Sequence, residues 1–167
     1  MTNDEQNFYM SKEHAEAMRY MANAKETLKR AEKRDDRLYM DEKYVRSACG
    51  IAYLGVLVAL DAWLTLKGVD IPKKRNHTNI DFYLSNIGKL DMKMLGHVNS
   101  VYNVLHLDGY YRKETSVKII EGGFDAAYYI IDKIKPENPV DVPETRGDRI
   151  KMAWDKMMIS LTAMFRL

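Results

Sequence analysis

Residues 47–66 read SACGIAYLGVLVALDAWLTL, the longest apolar run in the chain and the stretch the other segments must cover. Val45, Cys49, Ala52, Val56, Ala59, Trp63 and Leu66 recur at alternating spacings of four and three, which lines one face of a helix. A second apolar line, Tyr53, Leu57, Leu60 and Leu64, runs beside it, so most of the circumference is apolar. A helix of that kind is either the centre of a bundle or a membrane span. About 20 residues would cross a bilayer, but Asp61 lies inside the run, and a carboxylate there costs about 2.5–3.5 kcal/mol on insertion. Other segments carry matching apolar stripes, so the run reads as a core helix. Asp41 is its expected N-cap and Gly68 its left-handed stop.

Working outward, residues 1–10 read as a loose N-terminus, with Ser11 as the cap of a first helix and Glu13 in its first turn. Ala17, Met21, Ala24, Leu28 and Ala31 give that helix a thin stripe of small residues. Its end, KRAEKRDDR, mixes both signs of charge, as a solvated helix face does. Residues 68–79, GVDIPKKRNHTN, form a loop whose Lys73, Lys74 and Arg75 are the densest basic patch. Thr78 and Asp81 resemble a capping box for a third helix carrying Ile80, Leu84, Ile87, Met94, Val98, Val101 and Leu105. Asp91 falls where an apolar residue was due, which predicts slack or a kink, and Gly109 reads as the stop.

A fourth helix spans about Glu114 to Lys135, with Val117, Ile120, Phe124, Ala127, Ile131 and Ile134 at regular spacing. Gly122 and Gly123 cost about 1 kcal/mol each against alanine, which close approach of another helix would offset. The bundle thus covers 11–135, followed by a proline-rich connector over 136–145. In 146–167, Ile150, Trp154, Met157, Leu161 and Met164 form a fifth amphipathic stripe, which packs on its own bundle or serves as an interface with a partner chain. The expected fold is all-α: an up-down four-helix bundle with an additional C-terminal amphipathic helix.

The chain has 167 residues, 46% hydrophobic and 30% charged, enough for one domain with a real core. Its formal net charge of +2 sets up no global field favouring nucleic acid or an anionic membrane. One cysteine, Cys49, excludes a disulfide framework or a cysteine-based zinc site within one chain. MTNDEQNFYM lacks the basic start and apolar middle of a signal peptide, so the chain reads as cytoplasmic.

The sequence carries no Glu-x-x-His pair for a di-iron bundle and no H-E-x-x-H, P-loop, GxGxxG or GxSxG pattern. No cofactor, metal or catalytic residue is expected. The densest polar cluster is His106, Asp108, Tyr110, Tyr111 and Arg112. Together with Lys73, Lys74 and Arg75 these are the candidate ligand-binding residues, suited to a phosphate or nucleotide. Turns collect the same residue types for capping alone.

The chain resembles the HEPN superfamily, small helical bundles found in prokaryotes beside nucleotidyltransferases and in toxin–antitoxin pairs. The resemblance lies in RSACGIAYLGVLVALDAWLTLKG, NHTNIDFYLSNI and LHLDGYYRK, within residues 11–135. Active members cut RNA with Arg-x(4–6)-His. Here the arginine positions hold Asn99, Ser100 and Val101 before His106, and Leu90, Asp91 and Met92 before His97. Before His77 they hold Asp70, Ile71 and Pro72, and before His14 Asn7, Phe8 and Tyr9. The resemblance therefore implies a non-catalytic, bacterial member. The primary expectation is a non-enzymatic bundle that forms a homo-oligomer or binds a protein partner; the alternative is a nucleotide- or RNA-binding module.

Overall fold

Asp41 stands at the start of the central helix, where its carboxylate accepts the Lys43 N–H at 2.9 Å. The computed structural model describes residues 1–72, 79–140 and 142. The central helix, α2, runs Glu42–Leu66 and stops where Gly68 takes φ +77°. Its apolar face is inside from Val45 to Trp63, and Val45, Cys49, Ala52, Val56 and Ala59 have no solvent exposure. By length and composition α2 could cross a membrane, and half of its most apolar window is buried within the fold.

Around it the described residues form an all-α bundle. Helix α1 spans Asn3–Lys29, α3 Ile80–Ile87, α4 Met92–Val101 and α5 Val117–Asp132, with a π-helical segment, Tyr102–Tyr111, continuing α4. Pairings along the helices show that neighbours run antiparallel. The Ala31 carbonyl accepts from Met40 and Asp41 at one end of the α1–α2 pair, and Gly55 meets Ala17 and Tyr20 further along. Gly109 and Tyr110 sit on Cys49 and Gly50, while Tyr83 reaches Asp61. The α5 stripe expected from the spacing is inside, with Ile120, Ala127, Ile131 and Ile134 fully buried. Each such isoleucine contributes about 1.5–3 kcal/mol relative to exposure.

Asp61, the polar interruption of the core run, joins α2 to α3: the Tyr83 hydroxyl donates to its carboxylate at 2.7 Å. Burial still pushes this carboxyl above its ordinary range, with the tyrosine pulling it back and Glu13 adding to the rise.

Four expectations are corrected. Residues 3–10 belong to α1, because Thr2 and Glu5 form the capping box two turns ahead of Ser11. Ser11 is instead buried; its hydroxyl donates to the Asn7 carbonyl and accepts from the Val140 N–H. The KRAEKRDDR stretch leaves the helix after Lys29 and enters a hairpin, β1 Lys33–Arg34 with β2 Leu38–Tyr39. Glu32, Asp35 and Asp36 there adopt positive φ, which aspartate tolerates better than most residues. Gly109 ends nothing: it lies within the π segment, and the left-handed residue is Lys113 at φ 63°. The expected slack at Asp91 is a true break, since Asp91 caps α4 through the Met94 N–H at 2.8 Å.

The connector returns along α1, where the Asn7 side-chain amide donates to the Asn138 carbonyl at 2.7 Å. Thr78, expected to cap α3, lies outside the described residues; Asn79 takes that role.

Candidate functional site

The π segment carries the polar cluster singled out in the sequence and brings it together. In a π-helix the hydrogen bonds run from i to i+5, so each turn takes up more residues and positions four apart stay on one side. Tyr102, His106 and Tyr110 are so spaced. The His106 imidazole stacks on Tyr53 of α2 at 4.5 Å between centroids and on Tyr102 at 5.2 Å. Tyr110 lies nearly parallel to it at 6.5 Å, and Tyr111 meets it edge-on at 5.2 Å. Five rings thus form a ladder between α2 and the π segment, half-buried at Tyr53 and open at Tyr111, which is 60% exposed.

Two glycines let the ladder sit this close to α2. A Cβ on Gly109 would collide with the Cys49 sulfur, and one on Gly50 would come within 3.2 Å of the Tyr110 ring. On the other side, Gly123 of α5 admits Val104 and Leu105, whose side chains a Cβ would meet at 2.6 and 2.8 Å. The neighbouring Gly122 has open space and makes no such approach.

The cations beside the ladder already have partners. Arg112 binds Asp108 at 2.8 Å, Lys113 binds Glu42 at 3.0 Å, and the Arg46 Nε donates to the Tyr110 carbonyl at 2.9 Å. Burial lowers the pKa of His106, so its ring is neutral at pH 7 and stacks as an uncharged aromatic. Burial likewise holds the Tyr53 phenol protonated, pushed up to about 12, with Tyr102 adding to the effect. Of the other candidates, Lys73, Lys74 and Arg75, and the stripe Ile150, Trp154, Met157, Leu161 and Met164, lie outside the described residues.

Sequence reading missed a second feature, a cleft of about 650 Å³ between the end of α1, the hairpin and α5. Leu28, Tyr39, Phe124 and Tyr128 form its apolar lining, and charged side chains ring its mouth. Its residues run from position 25 to position 128, and no local pattern links them. A third cluster joins α4 to α5: His97 stacks on Tyr129 at 3.8 Å, and the Lys93 and Lys133 ammonium groups lie over the same ring. Among the described residues no group of three or more histidine, cysteine, aspartate or glutamate side chains is placed to hold a metal ion.

A search of curated proteins gave no match. Among solved structures, a protein of unknown function from Dyadobacter fermentans is similar at 37% sequence identity with a TM-score of 0.64. The likeness covers 74% of this chain and 94% of that one. The family described as "Domain of unknown function (DUF5618)" matches residues 12–136, which takes in every described helix after the start of α1, the ladder and the cleft, and the chain belongs to that family.

Proposed function

We propose that this protein is a non-enzymatic, HEPN-like bundle that works by contact, using the aromatic ladder to bind a second copy of itself. The observation that carries the reading is the exposed end of the ladder. Tyr111 and Tyr110 are 60% and 39% exposed, and Leu54, 49% exposed, lies one turn along α2 from the Gly50–Tyr110 contact. Tyrosine and arginine are the residue types that protein interfaces enrich.

Charge favours a copy of the chain over a polyanion. In a twofold contact, residues near the axis face their own twins, so a ledge of one sign would repel itself. Here Asp108 neutralises Arg112 and Glu42 neutralises Lys113 within the same molecule. Those pairs also occupy Arg112 and Lys113, two of the three cations beside the ladder, which weighs against the nucleotide- or RNA-binding alternative. The absence of arginine at each Arg-x(4–6)-His position supports the non-catalytic part of the reading.

The test is solution mass by light scattering on the full chain, on a chain ending at Lys135, and on the full chain with Tyr110→Ser and Tyr111→Ser. A dimer that the tyrosine substitutions reduce to a folded monomer, whose melting temperature no longer depends on protein concentration, is the expected result. A monomeric full chain overturns it. A dimer lost only on truncation transfers the interface to the Ile150–Met164 stripe. RNA binding that weakens steeply with salt would favour the alternative instead, because phosphate contacts release counterions.

A further inference from the structure

The cleft between α1, the hairpin and α5 has the size of a small-molecule site, within the usual range of about 300–1,000 Å³. Its floor is apolar and well covered: Leu28, Tyr39 and Phe124 are 8%, 6% and 4% exposed. Tyr128, half-buried, makes the aromatic wall at one end, where the Lys25 ammonium lies 4.8 Å above its ring. At the other end Lys33 and Glu121 bridge from the hairpin to α5 at 2.8 Å and neutralise each other. The cleft is therefore bounded along its length by one cation–π contact and one ion pair.

The two helices that wall the cleft carry opposite charges. Lys25 and Lys29 stand on α1, and Asp125 stands on α5. Glu32 follows α1 and brings the ring of charges to three of each sign, so the cleft as a whole favours neither an anion nor a cation. Among the described residues Lys25, Lys29, Glu32 and Asp125 form no ion pair with another side chain, and Lys25 is engaged instead by the Tyr128 ring. Ammonium groups on α1 thus stand across an aromatic floor from the Asp125 carboxylate on α5, with Glu32 a second open carboxylate where α1 ends.

We propose that this cleft binds a small aromatic zwitterion, its flat apolar body on Phe124 and Tyr128, its carboxylate toward Lys29 and its ammonium toward Asp125. A ligand with a single charge would satisfy one wall and leave the other side chain desolvated without a partner, which costs affinity. A zwitterion without a ring would leave the floor uncovered.

The probe is L-phenylalanine, titrated into the full chain by calorimetry beside 3-phenylpropionate, which lacks the ammonium, and phenethylamine, which lacks the carboxylate. The expected result is saturable binding of L-phenylalanine, with each analogue weaker by about tenfold or more, the loss of one charged partner. Lys29→Gln and Asp125→Asn, both at exposed positions, should each weaken L-phenylalanine by a similar factor and leave the melting temperature unchanged. Absence of saturable binding at millimolar concentration, equal binding of either analogue, or binding that both substitutions leave untouched overturns the proposal.

Discussion

Replacing Gly109 by alanine adds one carbon at the tightest contact between α2 and the π segment. The new Cβ would collide with the Cys49 sulfur, lie 3.0 Å from the Cys49 Cβ and come within 3.2 Å of the Val104 carbonyl oxygen. Cys49 has no solvent exposure, and its Cβ is fixed to the helix backbone, so the Cβ cannot move away and the sulfur can rotate only into packed core. Overpacking of this kind costs about 1–3 kcal/mol, and contact with two atoms of one residue places it in the upper part of that range. Alanine returns about 1 kcal/mol of conformational preference over glycine. The net loss is then about 1–2 kcal/mol, or roughly 2–8 °C in melting temperature for a chain of this size. Thermal and urea unfolding of Gly109→Ala in the wild-type and Cys49→Ala backgrounds isolates the cause. Removing the sulfur should reduce the cost of Gly109→Ala by at least about 0.5 kcal/mol, as expected for residues in contact. Gly122→Ala is the control: nothing lies within 4 Å of its new Cβ, so it should stabilise the chain. A Gly109→Ala protein as stable as wild type, or one with the same loss in both backgrounds, would refute the argument.

Two further outcomes follow from the electrostatics. Asp91→Ala should lower stability by about 1–2 kcal/mol through loss of the α4 cap, and Asp91→Asn by less, since the amide oxygen still accepts the Met94 N–H. The cap hydrogen bond, then Lys133, hold the Asp91 carboxyl below its ordinary value, so its contribution is complete above that value and disappears as pH falls through the lower folded one. The gap between wild type and Asp91→Ala in urea midpoints should therefore close in acid, and a pH-independent gap would count against it. His106 and His14 behave differently. Burial lowers both from 6.5, and for His14 Asp132 partly offsets this while Lys135 adds to it. Below pH 6.5 the unfolded chain takes up protons that the folded one resists, so melting temperature should fall on acidification until the folded values are reached. His106→Phe should flatten that slope; an unchanged slope would place the titration elsewhere.

The helices were legible wherever one residue type had one use. The α2 face from Val45 to Trp63 and the α5 face from Val117 to Ile134 are buried as their spacing requires. Errors arose where a residue serves two purposes. Serine caps helices but also bonds the preceding turn, and Ser11 does the second while Thr2 and Glu5 do the first. Glycine marks left-handed turns and also close approaches; Gly68 is the former and Gly109 the latter. The Gly122–Gly123 pair divides in the same way, only Gly123 touching the neighbouring segment. Of the candidate site, the His106–Arg112 cluster was visible because its members are contiguous, whereas Tyr53 and Arg46 join it only through packing. The α1–α5 cleft could not be read at all, since Lys29 and Asp125 come to line one cleft through the bundle's packing and not along the chain.

The contact between Gly109 and Cys49 also makes the molecule its own clock. The chain has one thiol, and burial pushes it up to about 12, so in the closed bundle it is neither ionised nor reachable. Alkylation needs the thiolate, and the thiolate needs the π segment to move off α2. The rate of labelling by an added alkylating reagent at a fixed pH therefore reports local openings of that interface, with no residue changed. In a mixture of closed and transiently open chains, Cys49 reports only on the open ones.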